Sequence, residues 1–224
     1  MIPDGQALLF DLDGCLVDSL PSIARCWAET LGELGRPAPR PEELRAYVGP
    51  PVDQAARMLA PDMSEPQIEQ LVAAYRRRSA VAEDVAAFPG IAELLTALAG
   101  DGIPLGVATS KSIEVAEPLL ERLGLWRWFE VVEGTGRDEL GTDKTTVLDR
   151  ALRRLAPVRV YALVGDRQHD VVGAHAHDLC AIGALWGYGS PDELLDAGAD
   201  ALVATPAALA TLLWDAAPPQ GRRP

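Results

Sequence analysis

Two aspartates stand near the start of the chain, Asp11 and Asp13, in a segment that continues into Gly14. One carboxylate can attack phosphorus or bind a hard cation, and a second, when protonated, can give its proton to a leaving oxygen. Gly14 allows the backbone to turn and to approach a ligand closely. Calcium loops share this spacing, but they place Asp or Asn where this chain has Cys15. The pair therefore favours phosphoryl-group chemistry.

Three further polar segments carry groups suited to the same chemistry. Thr109 and Ser110 can donate hydroxyls to a phosphate oxygen, although Ser110 could equally serve as a helix N-cap. Lys144 is one of only two lysines in the chain, and because a cation at a helix start opposes the helix dipole, we expect it to balance carboxylates and a phosphoryl group. Asp166 and Asp170 can face one cation, although an acidic helix start would have the same pattern.

The elements that position these residues predict a doubly wound α/β fold. From residue 89 onward, short runs that are apolar throughout alternate with amphipathic helical stripes, which is typical of a parallel sheet covered on both faces. The four polar segments then fall at the carboxyl ends of strands, the edge at which such sheets bind ligands. The predicted strands cover residues 7–10, 103–108, 129–132, 160–164, 181–185 and 201–203.

The segment between the first strand and Phe88 breaks this alternation, and no strand is predicted in it. An ordinary crossover is far shorter, so we interpret residues 18–85 as an inserted helical cap domain on a Rossmann-like core of residues 1–17 and 86–215. Residues 216–224 are predicted to form a flexible tail. The predicted cap helices cover residues 21–35, 41–47, 52–60 and 65–80.

The overall composition restricts the possible partners. Acidic residues outnumber basic ones by 33 to 20, which gives a net charge of -13 and argues against binding to a nucleic acid polymer. No apolar run is long enough to span a membrane, no signal peptide is evident, and three cysteines are too few for a disulfide framework, so we expect a cytoplasmic protein. An anionic substrate would need local positive charge, which carboxylate-bound Mg²⁺ could supply.

Together, the four motifs resemble the haloacid dehalogenase superfamily along the whole chain, and the insertion lies where that family has a helical cap. The resemblance implies that Asp11 forms an aspartyl-phosphate and that Asp13 protonates the leaving oxygen and then activates water. It implies further roles for the other motif residues: Lys144 in catalysis, Thr109, Ser110 and Gly14 in phosphate binding, and Asp11, Asp13 (through its carbonyl), Asp166 and Asp170 around Mg²⁺, the last mainly through water.

Finer features resemble phosphoglycolate-phosphatase-like proteins, and among them a 5′-nucleotidase-like group. These features lie at residues 47–51, 107–111, 165–170 and 185–190. The resemblance implies Mg²⁺-dependent hydrolysis of a small phosphorylated metabolite, such as a nucleoside 5′-monophosphate or phosphoglycolate, by a monomer or homodimer.

The cap is expected to choose the substrate. Arg45 and Arg76 could meet an anionic group of the substrate, although most cap arginines are expected to face water. Trp27 lies in the first cap helix, where packing is the simpler interpretation. His169 could orient Asp170 or line the site, and a structural role is equally compatible with its position.

Two other functions stay open. One is a sugar phosphomutase of the same superfamily, which would yield an isomer of the substrate instead of free phosphate. The other is a receiver-like signalling domain, which also phosphorylates an aspartate beside acidic, hydroxyl and lysine residues. The acidic pair directly after the first strand and the long helical insertion argue against a receiver.

Overall fold

The centre of the molecule is a six-stranded parallel sheet, as seen in a computed structural model that describes residues 5–40, 43–136 and 139–215. Its strand order is β5-β4-β1-β6-β7-β8. The chain crosses over between strands that are not neighbours in sequence, as the doubly wound prediction requires. The six strands are β1 (Gln6–Phe10), β4 (Leu105–Ser112), β5 (Val131–Thr135), β6 (Arg159–Gly165), β7 (Cys180–Ala184) and β8 (Ala201–Val203).

Helices cover both faces of this sheet. On β1, Leu8 and Phe10 pack into one hydrophobic cluster, whereas Ala7 and Leu9 pack into another on the opposite face. This explains why the strand is apolar throughout instead of alternating. The core helices are α4 (Ile91–Gly100), α5 (Ile113–Arg122), α6 (Lys144–Leu155), α7 (Gln168–Ala176), α8 (Pro191–Asp196) and α9 (Pro206–Asp215).

The insertion between β1 and α4 is helical and has a hydrophobic cluster of its own. It contains α1 (Leu20–Glu33), a short 3₁₀ helix (Leu44–Tyr47), α2 (Val52–Leu59) and α3 (Glu65–Ser79). Ser64 and Gln67 form a capping box that starts α3. The rings of Trp27 on α1 and Tyr75 on α3 stack with centroids 4.1 Å apart. We call this helical unit the cap.

A two-stranded antiparallel ribbon joins the cap to the core, and the expectation of no strand before Phe88 was therefore wrong. Strands β2 (Val17–Asp18) and β3 (Ala86–Ala87) pair at this junction. Each strand has only two residues, which is too short for a recognisable period-two pattern. The ribbon falls at the predicted boundaries of the cap.

Some predictions concern residues outside the described ranges. They are the flexible tail at 216–224, the first four residues of the core, and the first two residues of the helix predicted at 41–47. Of the helices that the structure describes, none combines the length and the apolar character needed to cross a bilayer.

Candidate active site

The predicted nucleophile, Asp11, directly follows β1 and is 4% exposed. Its backbone N–H donates to the carbonyl of Val164 on β6 at 2.8 Å, which fixes the backbone at the carboxyl edge of the sheet. The chain then turns at Gly14, which has φ +90° and donates its N–H to Val17. Asp11 and Asp13, on either side of Leu12 before this turn, both line one cavity.

Lys144 approaches Asp11 from the first residue of α6. Asp143 caps this helix by accepting a hydrogen bond from the N–H of Thr146 at 2.9 Å, so the helix begins at the lysine. The Lys144 Nζ lies 2.5 Å from Asp11 Oδ1 and 2.7 Å from Asp170 Oδ1. The sequence argument that this lysine balances carboxylates agrees with these contacts.

Asp166 and Asp170 complete an acidic cluster at the end of β6 and the start of α7. Oxygens of Asp11, Asp166 and Asp170 lie within 4.8 Å of one another, and all three residues are buried. The backbone N–H of Tyr188 donates to Asp166 Oδ2 at 2.7 Å. The N–H of Arg167 donates to Asp170 Oδ2 at 3.0 Å, so backbone groups orient both carboxylates.

Burial perturbs the pKa values of this cluster. Burial raises the pKa of Asp11 to about 7, although the Lys144 ammonium acts in the opposite direction. Burial, followed by the charges of Asp170 and Asp11, raises the pKa of Asp166 well above its ordinary value. Burial opposes the charged form of Lys144, but the two carboxylates beside it raise its pKa overall. Without a bound cation, the surroundings therefore favour the protonated forms of Asp11 and Asp166 relative to free carboxyl groups.

The chemistry of the cluster fits a divalent cation. The cluster has three carboxylates, and Lys144 pairs with two of them. An excess of two negative charges remains when all four groups are ionised. In addition, Asp166 Oδ1 is buried without a hydrogen-bond partner, a costly arrangement unless something binds it. Hard oxygen donors are the ligands that Mg²⁺ prefers.

The predicted phosphate-binding hydroxyls lie on β4, which extends to Ser112 and thus beyond its predicted end at residue 108. The pairing of β4 with β5 shifts register between Ala108 and Ser112. Thr109 and Ser110 lie within this irregular stretch, and both line the cavity that Asp11 and Asp13 also line. Thr109 is 1% exposed.

Residues of the cap form part of the lining of this cavity. The cavity has a volume of about 70 Å³, and cap side chains including Trp27, Tyr75 and Arg76 line it. Arg76 also donates to the carbonyl of Glu139 in the core at 3.1 Å. Arg76, one of the two cap arginines singled out from the sequence, therefore does lie at the site.

Two other candidates lie elsewhere. The side chain of Arg45 is exposed, and this residue is absent from the described lining of the cavity; its carbonyl accepts a hydrogen bond from Arg167. His169 is half-buried, and burial lowers its pKa. It lines a separate cavity of about 440 Å³, which also borders Lys144.

Sequence reasoning missed three contributors to the site. Lys111, to which the sequence assigned no role, places its Nζ 2.8 Å from Asp13 Oδ2. Arg167, within the fourth motif, donates to the carbonyls of Arg45 and Val48 in the cap. Tyr188 accepts hydrogen bonds through its hydroxyl from the N–H groups of Ser19 and Leu20, at 2.8 and 3.0 Å. For Lys111 the available signal was that the chain has only one other lysine.

Comparison with known proteins identifies the family of this chain. Residues 8–184 match the family model described as haloacid dehalogenase-like hydrolase. The chain belongs to this family. The resemblance stated from the motifs and the predicted fold are thereby confirmed. A solved structure titled a predicted phosphatase from Clostridium acetobutylicum superimposes with a TM-score of 0.86 at 28% identity, covering 94% of this chain and 99% of that chain.

Two relatives in the family carry different names. Tyrosine-protein kinase PtkA of Mycobacterium tuberculosis is 36% identical over 84% of this chain, and the match spans 64% of PtkA, which is less than two thirds of its length. A 5′-nucleotidase of Pseudomonas aeruginosa is 35% identical over 84% of this chain and 86% of its own length.

Proposed function

We propose that this chain is a Mg²⁺-dependent phosphatase that hydrolyses a small phosphate monoester through an aspartyl-phosphate at Asp11. The observation that carries the proposal is that two aspartates bordering one cavity differ in their surroundings. Asp11 lies inside a buried acidic cluster and pairs with Lys144, whereas Asp13 lies outside that cluster, with Oδ2 on Lys111 and Oδ1 buried without a hydrogen-bond partner. These surroundings suit a nucleophile and a proton carrier respectively.

In the first step, a carboxylate oxygen of Asp11 attacks phosphorus, and the bond from phosphorus to the leaving oxygen breaks. Asp13, in its protonated form, gives its proton to that oxygen. In the second step, Asp13 as a carboxylate takes a proton from water, whose oxygen attacks phosphorus and releases Asp11. Phosphate and the free alcohol are the products, and both aspartates return to their starting states.

The other motif residues bind and orient. Lys144 neutralises part of the charge that gathers on the phosphoryl oxygens, while Thr109 and Ser110 can donate hydrogen bonds to them. Oxygens of Asp11, Asp166 and the Asp13 carbonyl would hold Mg²⁺, with Asp170 acting through water. When bound, Mg²⁺ supplies electrostatic stabilisation of the phosphoryl group.

The cavity favours a short leaving group. Its volume of about 70 Å³ is roughly half that of the ~150 Å³ engineered cavity that accepts benzene. Glycolate is a small leaving group whose carboxylate Arg76 could meet, so phosphoglycolate is the first candidate substrate. A nucleoside would extend beyond this cavity. A neighbouring cavity of about 290 Å³ shares Tyr75 and Lys111 with it, so nucleoside 5′-monophosphates are the second candidate.

We place the enzyme in the cytoplasm as a monomer or homodimer. The cytoplasmic assignment is supported by Cys15, Cys26 and Cys180, all of which are free thiols.

A phosphate-release assay tests the proposal. The purified chain is incubated with phosphoglycolate, nucleoside 5′-monophosphates and sugar phosphates, with Mg²⁺ or with a chelator. We expect Mg²⁺-dependent phosphate release that is lost in Asp11→Asn, a near-isosteric variant. Full activity in Asp11→Asn would contradict the aspartyl-phosphate mechanism. An isomerised sugar phosphate without free phosphate would instead identify a phosphomutase, and stable phosphorylation without turnover would identify a receiver.

The likeness to PtkA favours a second candidate, phosphoryl transfer to a tyrosine hydroxyl. The same aspartyl-phosphate could be attacked by a phenol instead of water. Incubation with γ-labelled ATP and a tyrosine-containing peptide distinguishes the two functions. We expect no label on the peptide or the chain above background, because water activated by Asp13 is the proposed acceptor of the phosphoryl group. Labelled peptide would make transfer to tyrosine the primary activity.

A further inference from the structure

Each of the chain's two lysines pairs with one of the two aspartates of the first motif. Lys144 Nζ lies 2.5 Å from Asp11 Oδ1, and Lys111 Nζ lies 2.8 Å from Asp13 Oδ2. The side chains of Lys111 and Asp13 are only 11% and 13% exposed. An ion pair this sheltered from water is more strongly coupled than a surface pair. The first lysine is explained by the proposed mechanism, but the second is not.

The contact of Lys111 divides the two oxygens of Asp13. Oδ2 accepts from the ammonium, whereas Oδ1 is buried and unpartnered. A carboxylate can otherwise rotate and exchange its two oxygens. The ion pair therefore holds the Asp13 carboxyl group in one orientation.

The backbone of Lys111 ties it to the phosphate-binding residues as well. Its N–H donates to Thr109 Oγ1 at 3.1 Å, within the stretch where β4 changes register against β5. Thr109 and Lys111 are two residues apart, so they face the same side of the strand, and the departure from regular pairing lets Ser110 between them line the same cavity. The position of the lysine is thus fixed by the element that also places Thr109.

We infer that Lys111 is a positioning residue that holds the Asp13 side chain in the orientation from which it protonates the leaving oxygen of the substrate. The inference rests on the proposed function, because it concerns the proton transfer that Asp13 performs there. A displacement of about 1 Å at such a group can cost roughly 100-fold in rate. The whole contribution of a positioned acid is about 10² to 10⁴.

Two phosphorylated substrates with leaving groups of similar size distinguish the positioning of Asp13 from phosphoryl binding or support of the fold. Ethyl phosphate loses ethoxide, which needs a proton, whereas acetyl phosphate loses acetate, which does not. Because kcat/KM reports only the steps up to phosphorylation of Asp11, the later role of Asp13 as a base does not enter. In Lys111→Met we expect kcat/KM to fall about 100-fold for ethyl phosphate and less than about 3-fold for acetyl phosphate.

A double-mutant cycle tests whether Lys111 acts through Asp13. Asp13→Asn should show the same selective loss, and adding Lys111→Met to it should cost less than about 2-fold more on ethyl phosphate. The charge control is Arg159→Met, an exposed site, which should leave both substrates unaffected. If Lys111→Met does not fold, Lys111→Gln, which keeps one donor, should show a smaller loss in the same direction.

Equal losses on both substrates would overturn the inference, since they would mean that Lys111 binds the phosphoryl group or only supports the fold. Independent losses in the double mutant would overturn it as well. Failure of the wild-type chain to release phosphate from these two substrates and from the phosphate monoesters named under the proposed function would refute that function, and the inference with it. Hydrolysis by the wild type with equal losses in the variant would refute the inference alone.

Discussion

At the scale of single residues, Gly14 sets the space available to Asp166. A Cβ at position 14 would lie 2.2 Å from Asp166 Oδ2, and the backbone there has φ +90°. Sequence reasoning assigned this glycine to the approach of phosphate. The structure adds a nearer neighbour, because the missing side chain lets a carboxylate of the acidic cluster pack against the turn.

Replacing Gly14 by Ala should therefore weaken Mg²⁺ binding. Asp166 must move away from the new methyl group, and the resulting misplacement of a proposed ligand should raise the Kd for Mg²⁺ at least about 10-fold. Left-handed backbone strain should add about 1–2 kcal/mol of destabilisation. Isothermal titration calorimetry with Mg²⁺ and thermal unfolding measure the two effects.

Gly124 offers a matched control for this substitution. Its φ is +69°, but a Cβ there meets nothing within 4 Å. Gly124→Ala should show a similar loss of stability and an unchanged Kd for Mg²⁺. If both variants bound Mg²⁺ like the wild type, the packing of Gly14 against Asp166 would have no part in metal binding.

At the scale of elements, Arg167 fastens the cap to the core. It is 6% exposed, although it lies at the start of α7 beside the acidic cluster. Its guanidinium donates to the carbonyls of Arg45 (2.8 Å) and Val48, and to Glu193 Oε1 at 2.8 Å. The cap loop that it holds borders the cavity through Val48 and Gly49. The Arg167 side chain thus links the fourth motif to the cap residues that line the cavity.

Arg167→Met should loosen the cap without removing the acidic cluster. The bond that orients Asp170 comes from the backbone N–H of residue 167 and survives the substitution. Lost hydrogen bonds from a charged donor are worth about 1.5–3 kcal/mol each. We therefore expect KM to rise about 10-fold or more, kcat to change less, and limited proteolysis of the cap to become faster.

The control for this variant is Arg153→Met, which removes an arginine that is 79% exposed and paired only four residues back along its helix. Its kinetics and proteolysis should match the wild type. A normal KM and normal protease resistance in Arg167→Met would show that the cap is held by its other contacts. Among these is the bond from the Gly141 N–H to Asp53 at 3.2 Å.

Local patterns explain how far the sequence could predict these elements. The apolar strands and the amphipathic cap helices depend on neighbouring residues, so their types and approximate bounds could be predicted. The contact between Arg167 and Val48 spans 119 positions, and no local pattern encodes it. The contact between Lys111 and Asp13 spans 98 positions and likewise requires the assembled sheet. Arg45 was selected by sequence position alone, and it is exposed and absent from the described cavity lining.

At the scale of the whole molecule, folding gathers three acidic side chains into one buried cluster. The chain carries a net charge of -13, and three of its carboxylates are brought together in the buried cluster around Lys144. Burying charges in excess of their partners costs stability. The fold accepts this cost at the site proposed for Mg²⁺, as expected where function and stability compete.

The metal-free protein should consequently be less stable than the Mg²⁺-bound one. A ligand that binds only the folded state adds about 2.7 kcal/mol at a concentration of 100 times its Kd. For a domain of this size each kcal/mol raises Tm by roughly 2–4 °C, so saturating Mg²⁺ should raise Tm by about 5–10 °C. Differential scanning calorimetry across a Mg²⁺ titration measures the shift.

Asp166→Asn should change stability in opposite directions with and without metal. The amide oxygen can still accept from the Tyr188 N–H, which now bonds Asp166 Oδ2, but a buried ionisable group whose pKa is raised by folding is gone. Without Mg²⁺ we expect this variant to be more stable than the wild type by about 1–3 kcal/mol at neutral pH, because folding of the wild type must either bury the Asp166 charge or add a proton to it, and both cost free energy. With saturating Mg²⁺ the order should reverse, since the variant has lost a charged ligand. A variant less stable than the wild type in both conditions would show that Asp166 stabilises the fold itself. The buried acidic cluster would then not lower the stability of the metal-free protein.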